Sequence, residues 1–147
     1  MSANVTGVGA KFIIFDKNGQ YPNGYVITEF SDDSDPIDNP NKTIVQYANA
    51  LNGTLLYWYK TSPNEINISV YADSDGDIYL TSLLQANDPQ KNKKIINSEL
   101  DAQLIYNNGK VVFMNNGKLV EGSYIGGISS DGKKKTKTFK FIFEEIK

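Results

Sequence analysis

The chain has 147 residues and a mass of 16.3 kDa, enough for one domain around one real core. Its 15 basic residues are all lysine, against 17 acidic ones, for a net charge of −2. It contains no histidine, cysteine or arginine, which excludes a disulfide scaffold and Cys/His zinc sites, removes histidine proton chemistry and argues against arginine-based phosphate or base readout.

The opening Met1-Ser-Ala-Asn-Val-Thr-Gly7 lacks the charged start and apolar run of a signal peptide. The longest apolar runs, residues 12–15 and 55–59, are too short to cross a bilayer. A soluble protein made in the cytoplasm, with no membrane partner, is therefore expected. Aromatics reach 12%, mostly nine Tyr and seven Phe, and these favour pleated, half-buried strands.

Residues 11–15 and 25–30 read as two strands, with Lys17-Asn18-Gly19 turning the first back as a hairpin. Residues 31–41 are crowded with breakers and carboxylates and read as a loop carrying Asp32, Asp33, Asp35 and Asp38. Four clustered carboxylates could hold a hard cation, but such sites also need convergent backbone oxygens, so a solvated loop or assembly contact is preferred.

Strands follow at 43–47, 54–60 and 65–71, the last with Ile66, Ile68 and Val70 on one face. In Tyr57-Trp58-Tyr59, alternation sends Trp58 to the face opposite the tyrosines. One core face and one surface face is the plain expectation; stacking on a sugar or base is the alternative.

Residues 77–86 break the alternation: Leu80, Leu83 and Leu84 fall at helical spacing, and Asp77 is a suitable N-cap. This predicts the only helix. The preceding Asp73-Ser-Asp-Gly-Asp77 fails as a calcium loop, because Gly76 is fourth rather than sixth and the twelfth residue is Leu84.

Residues 102–106 and 111–114 flank Asn107-Asn108-Gly109, a second hairpin. Asn115-Asn116-Gly117 predicts a further turn before 119–122. Ser130-Asp131-Gly132 then leads into Lys133, Lys134 and Lys135, and into a strand at 138–144 with Phe139, Phe141 and Phe143 on one face. With Lys137 and Lys140 the run looks basic, but it lacks arginine and interleaved aromatics, so nucleic-acid binding is weakly supported. Lysines that guard an aromatic strand from edge pairing, or that meet an acidic surface on another copy, fit better.

The fold class is thus mainly β, an antiparallel two-sheet barrel or sandwich with one short α-helix, in a single domain spanning 1–147. No catalytic, cofactor or metal residues are assigned, and no enzyme activity is expected.

Three pieces of this layout resemble phage tail tube proteins, whose family of β-barrel subunits includes the tubes of type VI secretion systems. They are the strand ending in Thr61-Ser62-Pro63 followed by the alternating 65–71 segment, the single mid-chain helix, and the C-terminal hairpins closing on residues 136–143. The resemblance implies a virion tail protein that self-assembles into stacked hexameric rings. It implies contacts with other tail or baseplate proteins, and a lumen through which DNA passes without tight binding. Asp32, Asp33, Asp35, Asp38, Lys133, Lys134 and Lys135 are the candidate assembly residues. A tail fibre, spike or baseplate component that binds the host surface is the alternative.

Overall fold

The computed structural model describes residues 9–17, 19, 21, 23–30, 35–90, 94 and 97–147. Strands β1 (Lys11–Asp16), β2 (Tyr25–Ile27), β3 (Ile37–Asp38), β4 (Val45–Asn49), β5 (Leu55–Tyr59) and β6 (Asn64–Val70) precede helix α1 (Asp75–Asn87). Strands β7 (Leu100–Ile105), β8 (Val111–Glu121) and β9 (Lys137–Ile146) follow it. Seven strands form one sheet in the order β2-β1-β7-β8-β9-β6-β3, and β4 pairs with β5 in a separate two-stranded sheet. Every strand pairing is antiparallel. The fold is therefore mainly β, as the sequence implies: a seven-stranded half-barrel, a two-stranded sheet and one helix.

Period-2 alternation builds the large sheet. Phe12 and Ile14 on β1, Ile66, Ile68 and Val70 on β6, Leu100, Ala102 and Leu104 on β7, and Phe139, Phe141 and Phe143 on β9 all turn to one face and are buried. Register stacks them directly: Phe141 lies opposite Ile66, and Phe139 opposite Ile68. Phe141 also stacks on Phe143 at 6.3 Å. Tyr79, Leu80 and Leu83 of α1 complete this core.

Helix α1 begins earlier than the sequence suggests. Ser74, not Asp77, is the N-cap: its hydroxyl accepts from the Asp77 amide at 3.2 Å. Asp77 sits one turn in, where its carboxylate accepts from the Asp73 amide at 2.8 Å. Either residue type can cap. Tertiary burial of Asp77 selects the serine.

The predicted turn at Asn115-Asn116-Gly117 is also absent, since β8 runs straight through it. Asn116 takes φ 55°, and the register with β7 shifts between Leu100 and Ala102. This is a bulge that re-aims a long strand. Gly117 is required there, because a Cβ would lie 2.2 Å from Phe143 Cδ1. The loop predicted over 31–41 contains the short β3, paired with β6 through Ile37–Ile68 and Asp38–Asn67. Among the described residues no helix is long and apolar enough to cross a membrane.

Candidate assembly surfaces

The β4–β5 hairpin is the most unusual surface. The type of turn is set by Asn52-Gly53: Gly53 has φ 86°, its amide donates to Ala50 O at 2.9 Å, and the Asn52 side chain accepts from the Thr54 amide at 3.0 Å. Register places Tyr57 opposite Tyr47 and Tyr59 opposite Val45 on one face, with Trp58 opposite Gln46 and Leu56 opposite Ala48 on the other. All five residues of β5 are exposed, Trp58 by 50% and Tyr59 by 77%. The expectation that one face of this strand enters the core is therefore wrong. Both faces are apolar and both are open.

No charged residue occurs between Lys42 and Lys60; the polar side-chain groups of the two strands include the amides of Gln46 and Asn49 and the tyrosine hydroxyls. An isolated two-stranded hairpin is marginal in water, and a contiguous exposed apolar surface of this kind marks an interaction site. One sequence signal pointed here. Leu55 to Tyr59 has no polar residue to alternate with, unlike the one-sided strands elsewhere in the chain.

The outer face of the large sheet, turned away from the core, is divided. Over β2, β1, β7 and β8 it carries Val26, Ile13, Phe15, Ile105, Val111 and Phe113, all half-buried or exposed, with Lys11 beside Ile105 and Asp101 beside Phe15 as charged flanks. Register aligns Val26, Ile13, Gln103 and Phe113 in one row across four strands. Over β9 and β6 the same face is polar: Lys140 pairs with Glu65 at 3.3 Å and Ser69 bonds Thr138 at 2.9 Å.

A third feature joins α1 to β9. Lys137 Nζ lies 2.8 Å from Asp77 Oδ1 and donates to Thr81 Oγ1 at 2.7 Å, with both charged side chains almost fully buried. The sequence grouped Lys137 with an exposed basic run; alternation on β9 instead places it on the same face as the three phenylalanines. A cleft of about 460 Å³ lined by Asp77, Thr81, Tyr124 and Lys137 lies over this pair. At its rim the Tyr124 hydroxyl donates to Asp88 and Lys134 pairs with Asp73. The hydrogen bond to Asp88 pushes the Tyr124 phenol pKa up.

On a different side of the same N-terminal half of α1, Tyr79 stacks on Tyr25 at 4.2 Å and meets Tyr21 edge-on at 5.4 Å. Burial pushes the Tyr79 phenol up, and the nearby Asp16 charge pushes it further. Burial also raises Tyr25, with Asp75 and Glu29 adding to the shift. The tyrosine rings pack against one another beneath the helix.

Of the residues singled out for assembly, Asp32 and Asp33 lie outside the described residues. Asp35 and Asp38 are exposed, the latter on β3. Lys133, Lys134 and Lys135 are exposed on the turn before β9, where Lys133 lies 5.2 Å over the Tyr71 ring and Lys134 meets Asp73. No group of three or more His, Cys, Asp or Glu able to hold a metal ion occurs among the described residues.

Two solved structures share the architecture across the whole chain. One is the sheath/tube terminator of an extracellular contractile injection system, PVC, in its extended state, with a TM-score of 0.57 and 8% identity over 100% of this chain and 98% of that one. The other is the tube-terminating cap of the anti-feeding prophage, with a TM-score of 0.53 and 7% identity over 100% of this chain and 93% of that one. At such identity the likeness is one of fold. No curated protein sequence matches the chain. The family model described as tail fiber protein gp32 matches residues 3–147, and the chain belongs to that family of structural, non-enzymatic components of the phage tail.

Proposed function

We propose that the protein is a ring-forming subunit of the tail tube, assembling with copies of itself into stacked hexameric rings around a conduit for DNA. The β4–β5 hairpin carries this reading. A strand with apolar side chains exposed on both faces needs cover on both sides, and a neighbour in the ring together with a neighbour in the stack would supply it. The likeness to two tube-terminating proteins over the full chain supports a place in or at the end of the tube. A net-negative chain without arginine suits a wall that lets DNA slide, since phosphate affinity grows with each basic contact. Asp35, Asp38 and Lys133 to Lys135 are assigned polar contacts at the rims of these interfaces, along with Asp32 and Asp33.

A second reading, a fibre or baseplate part that grips the host surface, draws on the family description and on the projecting Tyr57, Trp58 and Tyr59, which could stack on sugar rings.

Negative-stain microscopy and light scattering of the purified protein separate the two. Rings or tubes are expected from the intact chain, and monomers with an unchanged circular dichroism spectrum from a variant in which residues 45–59 are replaced by a short Gly-Ser turn. Sixfold rings that do not stack would place the subunit at the tube end. Trimers that bind a glycan array through Trp58 would replace the tube reading with the fibre one. The rim contacts are checked by salt: raising ionic strength from 50 to 500 mM should slow ring assembly if charges steer it, as screening shortens their reach.

A further inference from the structure

We infer that the β4–β5 hairpin of one copy packs across the outer face of the large sheet of the next copy, on the β2-β1-β7-β8 half. The inference rests on the ring reading above and names the receiving surface.

Position is the first argument. The hairpin springs from the chain between β3 and β6, which form one lateral end of the large sheet, whereas β2 forms the other end. Two complementary surfaces at opposite ends of one body make a head-to-tail contact, and such a contact repeats around a ring when its rotation closes. A hairpin that folded back on the β6 side of its own or another copy would meet the polar half of the sheet. There Glu65 and Lys140 form an ion pair and Asn67 faces out, and an uncharged aromatic strand laid over them would take that pair out of water with no charge of its own to offset the desolvation.

Charge and chemistry are the second. The hairpin has no charge between Lys42 and Lys60, and the row Val26-Ile13-Gln103-Phe113 has none either. Between the charged flanks Lys11 and Asp101, the outer face carries Ile13, Val26 and Phe113 in a band that is apolar on both sides of the sheet, as in a strand covered on both faces. A flat hairpin is the shape that packs face to face on a sheet, at a spacing of about 10 Å.

Size is the third. Tyr47, Tyr57 and Tyr59 form the larger of the two hairpin faces and are exposed by 73%, 63% and 77%. Aromatic side chains bury roughly 150–250 Å² each. With Leu55 and the strand backbone beside them, they reach the scale of about 800 Å² per partner that a specific interface requires.

The absence of native cysteine gives a clean test by oxidative cross-linking. Tyr57→Cys combined with Phe113→Cys should give, after mild oxidation of assembled protein, a ladder of covalent oligomers on denaturing gels ending at the ring number. Tyr57→Cys combined with Asn67→Cys, on the polar half, should give none. Rings with no Tyr57–Phe113 cross-link, or with the Asn67 pair cross-linking instead, overturn the docking surface while leaving the ring reading intact. Absence of any oligomer from the intact chain overturns the ring reading itself. An independent variant, Val26→Glu with Phe113→Glu, should keep its circular dichroism spectrum and lose at least 90% of its rings. Unchanged ring yield from that variant also overturns the inference.

Discussion

The buried Lys137–Asp77 pair is the strongest single commitment in the molecule. Each partner is almost entirely withdrawn from water, so each depends on the other and on Thr81 and the Asp73 amide. Asp77→Ala would leave a buried ammonium without its counter-charge, and a loss of about 3–5 kcal/mol is expected in urea unfolding. Asp77→Leu with Lys137→Met should recover most of that, because well-packed apolar isosteres often replace such pairs at no net cost. Tyr79 offers the opposite case. Its hydroxyl is buried with no hydrogen-bond partner among the described residues, so Tyr79→Phe should be neutral or slightly stabilising at pH 7. Its phenol is raised in the folded state, chiefly by burial. The unfolded chain therefore releases this proton first, and stability is intact below about pH 10 and lost as pH rises beyond it, by up to roughly 1.4 kcal/mol per pH unit. Denaturation midpoints between pH 9 and 11.5 should show that slope in the native protein and a shallower one in Tyr79→Phe.

Among the elements, β8 and the hairpin show how context overrules local signals. Asn115-Asn116-Gly117 is good turn chemistry, yet eleven residues of β8 run through it. Pairing with β7 on one side and β9 on the other outweighs the turn preference, and the left-handed Asn116 becomes a bulge. Gly117→Ala would drive a methyl into Phe143 and the Ile142 carbonyl; a destabilisation of about 1–3 kcal/mol is expected from overpacking, readable as a lowered thermal midpoint. On β5 the outcome reverses. Trp58→Ser removes no core contact, since half of the side chain is in solvent. It should alter monomer stability by less than about 0.5 kcal/mol and, on the ring reading, lower the assembled fraction measured by sedimentation.

At the scale of the whole molecule, the half-barrel has one core and two kinds of uncovered apolar surface, the hairpin and the β2-side outer face. If copies of the chain cover them in the proposed ring, each copy gains stability from its neighbours through mass action. The thermal midpoint of the intact chain should therefore rise with protein concentration, and that of the variant lacking residues 45–59 should not. Differential scanning fluorimetry across a hundredfold concentration range checks this.

Most of the large sheet was legible in the residues. Alternation at Ile66, Ile68, Val70 and at Phe139, Phe141, Phe143 names core faces because a strand's side chains can only alternate, and Asn108-Gly109 marks the β7–β8 hairpin because few residues accept the angles of Gly109 at φ 92°. The existence of the helix followed from spacing; its first turn did not, since two good caps stood close together and burial of Asp77 chose between them. The missing histidine, cysteine and arginine were equally plain, and they fit a chain whose role is contact rather than chemistry. What only the tertiary structure decided is where apolar strands go. Residues 55–59 and 139–143 are both rich in aromatic and aliphatic side chains, though only the second has a lysine on its outer face. One is buried between β8 and β6, and the other stands out with no sheet beside it but β4, because burial depends on neighbours distant in sequence.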